Sequence, residues 1–168
     1  NNGTLTPGSG SFTVNSGGVF TVGATGTVSF SNCTLENSGT TTNQGTLNIF
    51  QSNGQVNNNS GGIFNNSGTL NNNRTFRNNG TFTNTGTFNL NALPSTLELN
   101  TNPAVLPGGN FNWNSGGRVK IGLNGVMTLT NSMTVPFGRN FDVEGQLVVA
   151  STGQLIMSGN AYIYGPVV

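Results

Sequence analysis

Between Gly68 and Leu90 the chain repeats with a period of six. The units read Gly-Thr-Leu-Asn-Asn-Asn, Arg-Thr-Phe-Arg-Asn-Asn, Gly-Thr-Phe-Thr-Asn-Thr and Gly-Thr-Phe-Asn-Leu. Gly (once Arg74) precedes Thr, and Leu or Phe follows. A unit this short is no helix; it matches one short strand and a corner. In Thr81-Phe82-Thr83, alternation points Phe82 one way and both Thr the other. Gly permits close approach and Asn suits corners. Such a strand cannot stand alone, so stacked units must bury the apolar positions in a common column.

Looser copies extend both ways. They include Gly3-Thr4-Leu5, Gly26-Thr27-Val28, Gly45-Thr46-Leu47, Gly62-Ile63-Phe64, Gly117-Arg118-Val119 and Gly145-Gln146-Leu147. Asn15-Ser16-Gly17-Gly18-Val19-Phe20 returns as Asn59-Ser60-Gly61-Gly62-Ile63-Phe64, an offset of 44 residues, with Asn37-Ser38-Gly39 midway. That predicts coils of about 22 residues, three short strands each, stacked into a rod of about 35 Å. The expected fold is all-β: a parallel β-helix (β-solenoid) of seven to eight coils. The uneven spacing favours a right-handed coil, and an antiparallel sandwich is the alternative. The whole chain, 1–168, reads as one solenoid domain. Leu93-Pro94 and the stretch from Asn100 to Gly109, with Pro103 and Pro107, predict a loop emerging between coils, or a sub-array break, near 93–109.

Composition narrows the function. Of 168 residues, 30 are Asn, 26 Gly, 23 Thr and 14 Ser, and only 9 are charged. Five basic residues cannot neutralise a run of phosphates, which argues against nucleic acid as a partner. The apolar runs are too short to span a membrane as a helix. There is no His, the commonest acid-base group and metal ligand. A start at Asn1-Asn2 leads us to expect a processed chain, and a removed secretion signal is one such process.

The runs Asn66-Ser67-Gly68-Thr69-Leu70 and Asn84-Thr85-Gly86-Thr87-Phe88 resemble the β-helical repeats of secreted bacterial surface proteins, autotransporter passengers and filamentous-haemagglutinin-type adhesins. Met133-Thr134-Val135-Pro136-Phe137-Gly138, followed by Phe141-Asp142-Val143-Glu144-Gly145, is similar to common β-helix turns. The resemblance covers most of the chain. It implies an extracellular or cell-surface setting.

Assigning every third unit to one wall yields three faces. The first carries Thr4/Thr6, Thr27/Ser29, Thr46/Asn48, Thr69/Asn71 and Thr87/Asn89. The second carries Val19/Thr21, Thr40/Thr42, Ile63/Asn65, Thr81/Thr83 and Val126/Thr128. The third gathers charge: Thr34/Glu36, Gln55/Asn57, Thr75/Arg77, Thr96/Glu98 and Arg118/Lys120. Candidate binding residues are Thr4, Thr27, Thr46, Thr69, Thr81, Thr83, Thr85 and Thr87. Uncharged Thr ladders suit repetitive assembly. The run Thr81-x-Thr83-x-Thr85-x-Thr87 also resembles Thr-array antifreeze solenoids, which implies ice as an alternative partner. Candidate assembly ends are Leu5 and Phe12 at one end, and Tyr162, Tyr164, Val167 and Val168 at the other. Stability is expected from the Phe/Leu/Val column, the backbone ladder and Asn ladders at corners.

No catalytic residue, metal ligand or cofactor is assigned. Asp142 and Glu144 are the closest acids and read as surface charge rather than a glycosidase pair. Arg118 and Lys120, near Arg139, read as a small solvated basic patch. Cys33 takes a slot usually held by inward Gly and reads as a small core residue. Phe111 and Trp113 alternate onto one side and read as core, with a sugar platform as the minor alternative for Trp113. The expectation is a non-enzymatic, secreted structural protein. It would self-associate or bind an extracellular surface, with ice binding as the alternative.

Overall fold

The structure, a computed structural model, describes residues 1–50, 53–91 and 94–168. Twenty-two short strands, and no helix, are formed by the described residues. They wind into a parallel β-solenoid of about seven turns. The first wall stacks β1 (Thr4–Leu5), β4 (Thr27–Phe30), β7 (Thr46–Ile49), β10 (Thr69–Asn72), β13 (Thr87–Leu90) and β15 (Asn110–Trp113). The second wall, which is the charge-gathering third face of the sequence, stacks β2 (Gly10–Val14), β5 (Cys33–Asn37), β8 (Gln55–Asn58), β11 (Thr75–Asn78), β14 (Thr96–Leu99), β16 (Arg118–Ile121), β19 (Asn140–Val143) and β22 (Asn160–Ile163). The third stacks β3 (Val19–Val22), β6 (Thr40–Asn43), β9 (Ile63–Asn66) and β12 (Thr81–Asn84). Two further parallel pairs join β17 (Val126–Leu129) to β20 (Gln146–Val149) and β18 (Ser132–Val135) to β21 (Gln154–Met157).

Alternation sorts the side chains. In each central strand the second and fourth residues face inward and are buried, while the first and third face out. On the first wall the second positions form the column Val28, Leu47, Leu70 and Phe88. On the second wall the corresponding column is Leu35, Val56, Phe76, Leu97, Val119 and Phe141. Phe76 packs on Phe64, Phe82 and Phe88, with ring centroids 4.8 to 5.9 Å apart. Each such side chain contributes about 1.5–3 kcal/mol by leaving water.

The fourth positions behave differently. Asn37, Asn58 and Asn78 fill them on the second wall, and Asn43, Asn66 and Asn84 on the third, all buried. Within each column the amide donates to the carboxamide oxygen one coil on, at 2.7 Å for Asn37 to Asn58, Asn58 to Asn78 and Asn43 to Asn66, and the last of the third-wall column, Asn84, donates to Gly108 O instead. A second amide hydrogen reaches a backbone carbonyl at the next corner, as from Asn58 to Thr81 and Asn66 to Thr87. The expected Asn ladders are therefore interior columns beside the corners. Beyond Asn78 the same column continues as Leu99, Ile121 and Val143, so the more aliphatic later half keeps the geometry and changes the chemistry.

Coil length varies without disturbing the stack. The column partners Asn43 and Asn66 lie 23 residues apart, and Asn66 and Asn84 lie 18 apart. The second wall runs through all eight strands without interruption. Asn100 to Gly109 forms no regular strand, and part of it is held against the coils. It lies along the stack: Val126 N–H donates to Thr101 O, Ala104 N–H donates to Val126 O, and Ala104 and Pro107 are buried. Two prolines that cannot donate keep it from forming a regular strand. The third-wall sheet consequently ends at β12, and Val126 pairs with Gln146 of β20 instead of extending that sheet. Of the first interruption, Leu93 lies outside the described residues, and β14 begins two residues after Pro94.

Candidate functional faces

The first wall brings Thr4, Thr27, Thr46, Thr69 and Thr87 into one register column. Strand spacing separates them by about 4.8 Å per coil. Beside them run Ser29, Asn48, Asn71, Asn89 and Asn112. Their amides are linked along the column, with Asn48 donating to Ser29 at 3.3 Å, Asn71 to Asn48 at 2.9 Å and Asn89 to Asn71 at 2.7 Å. These carboxamides are mutually held and rigid, whereas the Thr column offers hydroxyls and methyls to whatever meets the wall. No charged residue belongs to either column.

The other three candidate threonines do not join that surface. Thr81 and Thr83 lie on the third wall, where Thr81 continues the outward column Val19, Thr40 and Ile63. Thr85 sits in the turn between β12 and β13, with its hydroxyl donating to Asn66 O at 3.5 Å. Residues close in sequence are here placed on different walls by the corner at Thr85-Gly86.

At the ends, Leu5 and Phe12 are half-buried in the first coil. Val167 and Val168 pair with β20: Val149 N–H donates to Val168 O, and Val168 N–H to Leu147 O. Tyr162 and Tyr164 are exposed, but Tyr162 stands in register with Asp142 on the outer surface of the second wall rather than on the end of the core. The inward residues that surface at the last coil are Met157 and Ile163, 40% and 41% exposed. Sequence reading passed over them, although strict alternation from Val135 and Val143 would have found them.

The second wall carries a charge chain. Glu36 accepts from Asn57 at 2.7 Å and Asn59 at 3.2 Å, and Arg77 Nε reaches Glu98 at 3.0 Å. Arg118 Nε lies 3.2 Å from Asp142, and Lys120 Nζ lies 2.9 Å from Glu144. Arg118 and Lys120 are thus paired with acids, and Arg139 turns away to donate to Trp113 O. The expected basic patch is not formed. Asp142 also departs from the expectation of a solvated surface charge, since it is only 9% exposed. Burial pushes its carboxyl above the usual range, aided by Glu144 and opposed by Arg118 and Lys120.

That shift has a definite sign. A carboxyl whose pKa is raised on folding stabilises the fold most below its unfolded value, and the contribution is lost as pH rises through the folded value. We predict that Asp142→Asn flattens this part of the pH–stability curve above about pH 4. Melting temperatures of wild type and variant, compared from pH 3.5 to 7, check it. The same change in melting temperature with pH in both proteins would contradict it.

Cys33 is buried with its thiol pushed up by desolvation, as suits a core residue. Trp113 stacks near Phe111 at 6.2 Å and donates its indole N–H to Gly117 O at 2.8 Å, which fixes it in the wall rather than as a platform. Among the described residues, no three or more Cys, Asp or Glu side chains group to hold a metal ion. No helix among them is long and apolar enough to cross a membrane. Comparison with protein-family models, with curated proteins and with solved structures returns no match to the chain.

Proposed function

We propose that the chain is a non-catalytic, extracellular structural module, a self-associating building block of a surface filament, matrix or adhesin. The observation that carries this reading is the one-dimensional core. Its second-wall column runs through eight stacked strands to Ile163, and the β18–β21 pair carries Met157. In such a stack each coil buries the apolar positions of the one before it, so coils of like register are matched to one another. The likeness of the Gly-Thr-Leu/Phe units to secreted surface proteins supports the extracellular setting. The uncharged first wall supplies a lateral surface with no charge repulsion between copies.

One observation favours a second reading, ice binding. Five threonines stand in register on one wall, a near-lattice of hydroxyls and methyls on a stiff support. The two readings separate cleanly. Negative-stain microscopy and sedimentation at micromolar concentration should show filaments or a ladder of oligomers, weakened by Met157→Lys with Ile163→Lys. A uniform monomer at all concentrations overturns self-association. Thermal hysteresis in that monomer, abolished by Thr69→Tyr, would then establish the ice reading.

A further inference from the structure

The second wall holds a hollow of about 520 Å³ lined by Arg118, Asp142, Glu144, Tyr162 and Tyr164. Its size is that of small-ligand sites, which run to about 300–1,000 Å³. The lining is built by register. Asp142 stands between Lys120 and Tyr162 on successive strands, and Tyr164 follows two residues after Tyr162 as Glu144 follows Asp142. The two tyrosines are 47% and 76% exposed, so their ring faces are available. Asp142 is nine-tenths buried, and its Oδ1 has no hydrogen-bond partner among the protein's groups. Oδ1 is covered and Oδ2 faces Arg118, so a turn about χ2, whose torsional profile is broad, exchanges the two oxygens between these positions.

Charge selects the ligand class. Arg118 and Lys120 lie against Asp142 and Glu144, so the four charges cancel. A cation is opposed by the two bases and an anion by the two acids. What remains is a neutral ligand with hydroxyl donors on its edge and an apolar face for an aromatic ring. A pyranose ring has both. We propose that this hollow is a binding subsite for a neutral saccharide, with Tyr162 and Tyr164 stacking on the sugar, Asp142 accepting from its hydroxyls and Arg118 donating to them. The inference stands apart from self-association, since a monomer would carry the same hollow.

The test is an NMR titration of the full chain with maltopentaose, cellopentaose, laminaripentaose and xylopentaose. The expected result is that at least one shifts the amides of Arg118, Asp142, Tyr162 and Tyr164. Tyr164→Ala, at an exposed position, should weaken that binding about tenfold without changing the melting temperature. Asp142→Asn should weaken it as well. The proposal is overturned if no pentasaccharide shifts these amides, if the shifts map elsewhere, or if both variants bind as wild type does. It is equally overturned if calcium or oligogalacturonate, and no neutral sugar, occupies the hollow.

Discussion

Replacing Asn66 by Ala should lower the stability of the fold by about 3–5 kcal/mol. Asn66 sits in the middle of the third-wall interior column and is almost fully buried. Its amide donates to Asn84 Oδ1 at 2.6 Å and to Thr87 O at 3.0 Å, and its carboxamide oxygen accepts from Asn43 at 2.7 Å. The substitution removes all three bonds and leaves buried groups on both neighbouring coils with fewer partners. It also opens a cavity that stacked backbones cannot close. Asn65→Ala is the control: Asn65 is the outward neighbour, half exposed, and should cost less than about 0.5 kcal/mol. Urea unfolding of the two variants measures the difference. A loss below about 1 kcal/mol for Asn66→Ala would mean that the Asn column fills space without holding the coils together.

The same column shows how far the sequence could be read. The parallel stack was legible because Gly-Thr-Leu and Gly-Thr-Phe repeat their apolar position so often that only a coil buries every copy. The three walls were legible for the same reason, and the register pairs Thr46 with Thr69 and Arg77 with Glu98 as the repeat phase requires. The inward turn of Asn58 and Asn66 was not. Asn reads locally as a corner residue, and it becomes an interior one only when a second Asn one coil away completes its bonding. That partner is 18 to 23 residues distant, at an offset that changes from coil to coil. Asp142 was misread for a related reason. Its cover comes from neighbouring coils, and nothing within its own strand announces it. Thr81 and Thr83 fall on a different wall from Thr87, as assigning every third unit to one wall requires, whereas the run Thr81-x-Thr83-x-Thr85-x-Thr87 taken by itself conceals the corner at Gly86.

That corner is where the other large effect is expected. Gly26, Gly45, Gly68 and Gly86 each precede a first-wall strand, and they stack from coil to coil. The close approach is also the hydrogen-bonding contact: Thr46 N–H donates to Gly26 O, Thr69 N–H to Gly45 O and Thr87 N–H to Gly68 O, at 2.8 to 2.9 Å. A Cβ added at Gly68 would overlap the Gly45 carbonyl oxygen and lie 2.5 Å from Gln44 C. The coils cannot separate to admit it without lengthening the ladder bonds on either side, and backbone cannot rotate away as a side chain can. Gly68→Ala is therefore expected to cost at least about 3 kcal/mol, and Gly86→Ala a similar amount. Gly61 provides the contrast. Its φ is +80° and nothing lies within 4 Å of an added Cβ, so Gly61→Ala meets only the left-handed penalty of about 1–2 kcal/mol. Gly8, with open space and no positive φ, should tolerate Ala at almost no cost. Chemical denaturation of the four variants tests the ranking. If Gly68→Ala proved no worse than Gly61→Ala, the coils would be able to slide or spread at this corner, and the glycine column would not set their spacing.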